Sequence, residues 1–188
     1  EKVLDFILSG EPSDQVVDSI HSYLEDLSAQ IRAGKIPLAK YVITKGLNKA
    51  VHDYPNGDSQ PHLQVAKQML KQGKSVNPGD HIPYVICTDP AGTSTETSGK
   101  SVAKRAKHPL DIAEDASQGV GADRVDLEWY ISMQLLPPIG RLCEPIQSTS
   151  LADIARSLGL NASKYEARYT ALTGEQDRMN FDSIFGNR

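Results

Sequence analysis

The chain has 188 residues, of which 39% are hydrophobic, 23% charged and only 6% aromatic, a balance that suits one globular domain, or one plus a tail, with enough apolar material for a real core. The formal net charge of −4 gives the average surface no attraction for nucleic acid or membranes, and no run approaches the roughly 18 apolar residues that a membrane-spanning helix needs. Cys87 and Cys143 stand apart, with no CxxC or Cys/His cluster, which argues against structural zinc and a disulfide framework and fits a reducing, intracellular setting.

Charge is distributed unevenly. Residues 1–30 hold Glu1, Asp5, Glu11, Asp14, Asp18, Glu25 and Asp26 against Lys2, net −6 with histidines neutral. Residues 35–74 reverse this, with Lys35, Lys40, Lys45, Lys49, Lys67, Lys71 and Lys74 against Asp53 and Asp58, net +5. Lys100, Lys104, Arg105 and Lys107 follow with no acid among them. A polyanion would find a local footprint on such a chain. The opening Glu1-Lys2-Val3-Leu4 has neither an initiator Met nor the pattern of a signal peptide, so the chain is expected to be cut from something larger.

In chain order, Val3, Phe6 and Ile7, then Val16, Val17, Ile20, Leu24, Leu27 and Ile31, recur at helical spacing. Ser9 to Asp14 supplies a stop and candidate N-caps, and Gly34 with Pro37 ends the second helix, so an acidic helical hairpin is expected. Tyr41-Val42-Ile43-Thr44 reads as a strand running into the polar turn Lys45 to Lys49. Tyr54 to Asp58 is turn chemistry, and Pro61 opens a helix whose Leu63, Ala66, Met69 and Leu70 lie on one side. After the turn Asn77-Pro78-Gly79-Asp80, residues 82–87 read as a second strand, with Pro83 marking an edge or a strand start, able to pair with residues 41–44.

The Gly, Ser and Thr-rich stretch from Asp89 to Ser101 reads as a flexible loop with the basic residues 104–107 directly behind it. From Asp123 to Gln147 the apolar residues predict a long buried helix pair interrupted at Pro137-Pro138, the main core segment. Within it Arg141 and Glu144 read as a partly buried structural pair, and Trp129, Tyr130 and Cys143 as core. Ser150 caps a short helix of residues 151–158 that Gly159 closes. Beyond Leu160 apolar density falls, residues 166–188 read as a linker toward a further C-terminal region, and within them residues 175–188 read as a linker or a peptide that docks on a neighbour.

Taken as a set, Tyr41 to Lys49, Gln60-Pro61-His62-Leu63-Gln64-Val65-Ala66, Pro78 to Ile86 and Asp126 to Ile146 resemble, in order and spacing, the thumb of family B DNA polymerases. Arg141-Leu142-Cys143-Glu144-Pro145-Ile146 followed by Leu158-Gly159-Leu160 resembles the alpha branch of that family rather than the delta branch. The resemblance covers residues 1–165 and implies an α+β fold, mainly helical, in which a helical thumb domain carries a small β-sheet. It also implies a nuclear replicative polymerase that extends RNA primers, with primase and accessory subunits as partners and no membrane. The palm motifs Asp-x-x-Ser-Leu-Tyr-Pro and Asp-Thr-Asp do not occur here, so the chain alone is expected to be inactive and to bind no cofactor, Mg2+ belonging to the palm. The zinc-binding region of the alpha branch does not occur either.

A thumb holds duplex by its backbone, through Lys, Arg and small polar groups on phosphate and sugar oxygens. Thr44, Lys45, Asn48 and Lys49 offer a hydroxyl, an amide and two ammoniums in one strand-to-turn segment. Lysine spacing alone favours solvated surface, and the resemblance reverses that order. Gln60 and His62 flank Pro61 at a helix start, where backbone N–H groups favour a phosphate, while plain capping, or an imidazole bonded to a carbonyl, remains the other reading. Lys104, Arg105 and Lys107 would close over the duplex as a clamp or stay a basic loop. The expected ligand is the primer-template duplex, RNA–DNA hybrid first and then DNA, with the palm as the neighbouring domain. The alternative is a protein-interaction module docking neighbouring domains or subunits through acidic residues 1–30 and the tail.

Overall fold

The three- and four-residue spacing of Val16, Val17, Ile20, Leu24 and Ile31 becomes the buried stripe of a 20-residue helix, Ser13–Arg32. It follows a six-residue helix, Lys2–Ile7; these are α2 and α1. The computed structural model describes residues 1–55, 57–89, 98–118, 124–146 and 148–166, with backbone alone for 114–118. Among the described residues two compact units result, residues 1–33 with those from 131 on forming the first and residues 34–130 the second. The expected linker, apart from Glu166, and most of the Gly, Ser and Thr-rich loop lie outside the described residues.

In the first unit α1 packs on α2, with the Phe6 and Tyr23 rings edge to face at 6.0 Å, so the acidic hairpin forms as read. Leu151–Ser157 is α8 and Leu136–Cys143 is α7. Ser150 and Asp153 cap α8 reciprocally, side chain to backbone at both ends of the box. Gly159 ends the helix at φ +70°. Its freed carbonyls are taken by α2: Ser28 Oγ donates to Leu158 O at 2.8 Å, and the Arg32 guanidinium donates to Gly159 O at 3.2 Å. His21 bridges Ser157 at 2.7 Å and Thr149 at 2.9 Å. Gly140 lets α7 close on α8, since a Cβ there would lie 2.6 Å from Leu151 Cδ1.

The second unit is built on a three-stranded antiparallel sheet, β1 (Ile43–Gly46), β2 (His81–Ile86) and β3 (Ala106–Lys107), in the order β1-β2-β3. Ile43 faces Tyr84 and Gly46 faces His81, so the expected strand pairing forms, two residues later along β1 than expected. The β3 strand was not anticipated. It meets only Val85 and Ile86, which leaves Pro83, opposite Thr44, beyond its end, where a missing N–H costs no ladder bond. The 11-residue helix Pro61–Lys71, α3, packs on β2 and on α4 (Gly99–Lys104), and the helix Pro109–Gln118, α5, follows β3. Leu47, Leu63, Val65, Ala66, Ile82, Val85 and Ile86 make the centre of this core.

The stretch expected as a helix pair broken at Pro137-Pro138 is different in detail. It runs through a short turn Leu127–Trp129, here α6, then a π-helix Tyr130–Leu135, then α7. Both prolines fall in the first turn of α7, where an N–H is dispensable, so they begin a helix and do not break one. Arg141 and Glu144 are exposed, as are Met133 and Leu142, which corrects the partly buried pair and narrows the core face. The π-helix resets which residues face inward, a shift that a constant 3.6-residue period misses. The mainly helical α+β architecture with a small sheet is otherwise as read from the sequence.

Candidate nucleic-acid interface

The segment after β1 is pinned at Leu47, which is buried while its neighbours are not. Leu47 N donates to Asp80 O at 2.9 Å and Gly79 N donates to Leu47 O at 2.6 Å. The Asp80 carboxylate in turn accepts from Asn77 N at 2.7 Å. Gly79 adopts φ +96°, which a side chain would strain. Around this anchor Thr44, Lys45, Asn48 and Lys49 are all exposed, so the segment presents a hydroxyl, an amide and two ammoniums without burying any of them.

Tyr54 gathers the far end of this run. Its hydroxyl accepts from Asn48 N at 2.7 Å, its ring centroid lies 5.4 Å from Lys49 Nζ, and its ring meets His62 edge to face at 6.3 Å. In the sequence Tyr54 reads as turn chemistry. The available signal was an aromatic five residues beyond a lysine, within reach of a cation–π contact once the chain turns back.

His62 is only 2% exposed, and its Nδ1 is buried with no hydrogen-bond partner. The carbonyl-bonded reading therefore does not hold at Nδ1. Burial first, and the Lys45 ammonium second, lower the pKa of this imidazole and keep it neutral. His62 thus lies beneath the lysines as support for Tyr54. Gln60 occupies the N-cap of α3, half-buried, with no side-chain capping bond. Lys67 is engaged differently. Its ammonium donates to Asp58 at 2.8 Å, and this bond, with a second from Gln64, holds the Asp58 carboxyl below the usual range.

The expected clamp of Lys104, Arg105 and Lys107 does not sit together with this group. Lys104 is exposed at the end of α4, and Lys107 belongs to β3, on the other side of β2 from β1. Arg105 requires a correction. Its side chain is 10% exposed beside an Asp126 carboxylate 1% exposed, and the guanidinium donates to that carboxylate and, at 3.1 Å, to Cys87 O. A carboxylate so buried needs its cation, so Arg105 is a structural residue. Asp126 also accepts from Trp129 N at 3.0 Å, capping α6.

Among the described residues no group of three or more His, Cys, Asp and Glu could hold a metal ion. No helix among them is long and apolar enough to cross a membrane.

The family model described as DNA polymerase family B matches residues 1–146. The chain belongs to DNA polymerase family B. Its similarity extends to relatives named DNA polymerase alpha catalytic subunit. The chain is 42% identical over 182 residues to the one from Oryza sativa subsp. japonica, covering 96% of this chain and 11% of that protein. It is 38% identical over 167 residues to the one from Arabidopsis thaliana, and 36% identical over 185 residues to the one from Xenopus laevis, covering 88% and 98% of this chain and 11% and 12% of those proteins. Against these relatives the family B chain therefore spans only about a tenth of their length. Among solved structures, the family B DNA polymerase of the archaeon Pyrobaculum calidifontis matches with a TM-score of 0.61 and 24% identity, over 76% of this chain and 16% of that one. At that identity the match speaks for the fold.

Proposed function

We propose that residues 1–165 of this family B chain are a polymerase thumb that grips the primer-template duplex by its backbone while a palm outside this sequence extends the primer. The observation that carries this reading is the exposed run Thr44, Lys45, Asn48 and Lys49, anchored at Leu47 and backed by Tyr54. Ammonium, hydroxyl and amide groups of this kind match phosphate and sugar oxygens without reading bases. Kinship with alpha catalytic subunits extends the proposal to a nuclear replicative enzyme acting with primase and accessory subunits. Mg2+ in the palm would supply charge stabilisation for nucleotidyl transfer. Such a thumb would meet an RNA–DNA hybrid first. The wide, shallow minor groove of an A-like duplex exposes 2′-hydroxyls to it, which favours the hybrid over B-form DNA.

The test is titration of the chain with a short RNA–DNA hybrid and with B-form DNA of the same sequence at two salt concentrations, with and without Lys45→Ala/Lys49→Ala. If both lysines meet phosphate, the log–log salt slope flattens by about 2 in the double variant. Salt-insensitive binding, or binding indifferent to both substitutions, overturns the reading. Docking of a protein neighbour is the second reading, favoured by Leu8, which is 73% exposed just after α1 in the acidic unit; binding of that kind would be nearly independent of salt.

A further inference from the structure

We infer that Tyr54 is a positioning residue for this interface, acting through Lys49; the inference rests on the duplex-gripping reading above. Three contacts converge on one side chain. The hydroxyl takes the Asn48 amide at 2.7 Å, which closes the six-residue excursion from Asn48 to Tyr54. The ring face stands 5.4 Å from the Lys49 ammonium, inside the range at which a ring quadrupole attracts a cation. The ring is itself fixed, because it packs against the core and meets the buried His62 at an interplanar angle of 90°.

A lysine on a flexible four-carbon stem loses much rotamer freedom when it engages a phosphate. A ring that already holds the ammonium reduces that loss, and an ammonium has three donors, so one face can rest on the ring while others point outward. Asn48, tied by its backbone, leaves its side-chain amide at the surface beside Lys49. The chain from the core to the surface is therefore His62, Tyr54, Lys49. Lys45, four residues earlier on β1, has no such ring among its described contacts and serves as the internal comparison.

The experiment is a double-substitution cycle on the whole chain, read by hybrid-duplex affinity at low salt and by the proton shift of the Lys49 ε-methylene in the free protein. Tyr54→Leu is expected to weaken binding about two- to five-fold when Lys49 is present, and to add nothing in the Lys49→Ala background. Tyr54→Phe is expected to keep most of the affinity and the upfield ring-current shift of Lys49, both lost in Tyr54→Leu. Equal weakening by Tyr54→Leu in both backgrounds would reduce Tyr54 to general support of the fold and overturn the inference. So would full affinity in Tyr54→Leu while Lys49→Ala still weakens binding. If Lys49→Ala changes nothing in the wild-type chain, the duplex reading fails at this lysine and the inference falls with it, an outcome that the cycle separates from the other two.

Discussion

The hydroxyl of Tyr130 donates to the carbonyl of Tyr41 at 2.6 Å and accepts from Ile86 N at 3.1 Å, so one buried oxygen joins the chain leading into β1, the end of β2 and the start of the π-helix. Burial raises this phenol well above its ordinary pKa, and it acts as a neutral donor throughout the usable pH range. Its ring also meets Tyr41 at 5.2 Å and Trp129 at 4.9 Å, both edge to face.

Tyr130→Phe keeps the ring packing and deprives Tyr41 O and Ile86 N of their partner. A loss of about 1–3 kcal/mol in unfolding free energy is expected, the cost of leaving buried polar groups unmade. Trp129, the single tryptophan, stands beside the site, so urea unfolding followed by its fluorescence reads the unit directly.

Arg105 and Lys104, adjacent in sequence, should behave oppositely. Arg105→Met leaves the buried Asp126 carboxylate without its cation and is expected to cost about 3–5 kcal/mol. Lys104→Ala, at an exposed position, should stay within about 0.5 kcal/mol. Chemical denaturation of the two variants side by side distinguishes them, and comparable losses would refute the structural role assigned to Arg105.

The lysines are graded by what already holds them. Lys45→Ala and Lys49→Ala are each expected to flatten the salt dependence of B-form DNA binding by about 0.9. Lys67→Ala should leave that slope nearly unchanged, because the Lys67 ammonium is bonded to Asp58. Affinity measured across a salt series for the three single variants gives the comparison, and a full unit lost with Lys67 would extend the interface along α3.

His62 makes stability fall on the acid side. Its pKa is lowered in the folded chain by burial and by Lys45, so the unfolded state binds the proton more readily and protonation favours unfolding. The contribution is fully present above the unfolded histidine value, about 6.5, and is lost as pH falls below it toward the folded value. His108, likewise lowered by burial first, adds in the same direction. Unfolding midpoints by Trp129 fluorescence between about pH 7.5 and 5 should therefore decline, and His62→Leu should make that decline shallower. An unchanged pH profile in the variant would mean that His62 titrates normally.

Much of the local structure was legible because it depends on neighbours in sequence. The α2 stripe follows from apolar spacing, α8 from Ser150, Asp153 and Gly159, and the start of α3 from Pro61. The pairing of β1 with β2 was legible from two β-rich runs. The run Thr44 to Lys49 was legible as a candidate because a hydroxyl, an amide and two ammoniums fall in one strand-to-turn segment that resembles the family's, whereas its anchor at Leu47 emerged only in the structure.

Three things were not. The π-helix at Tyr130–Leu135 changes the period within one helical stretch, so Met133 and Leu142 turn outward although their spacing pointed inward. β3 is two residues long, too short to carry an alternation signal of its own. Arg105 read as a phosphate ligand because its partner Asp126 lies 21 residues away.

The sequence by itself determined helix faces, caps, turns and the family, since each depends on residue order over a few positions or on motif spacing along the chain. Only the tertiary structure decided which cations are committed to carboxylates and which stand exposed, and that Tyr54 rather than a turn closes on Asn48 and Lys49. The physical reason is that charge pairing and ring contacts are set by distance through space, and residues as far apart as Tyr41 and Tyr130 become neighbours only when the core between them has formed.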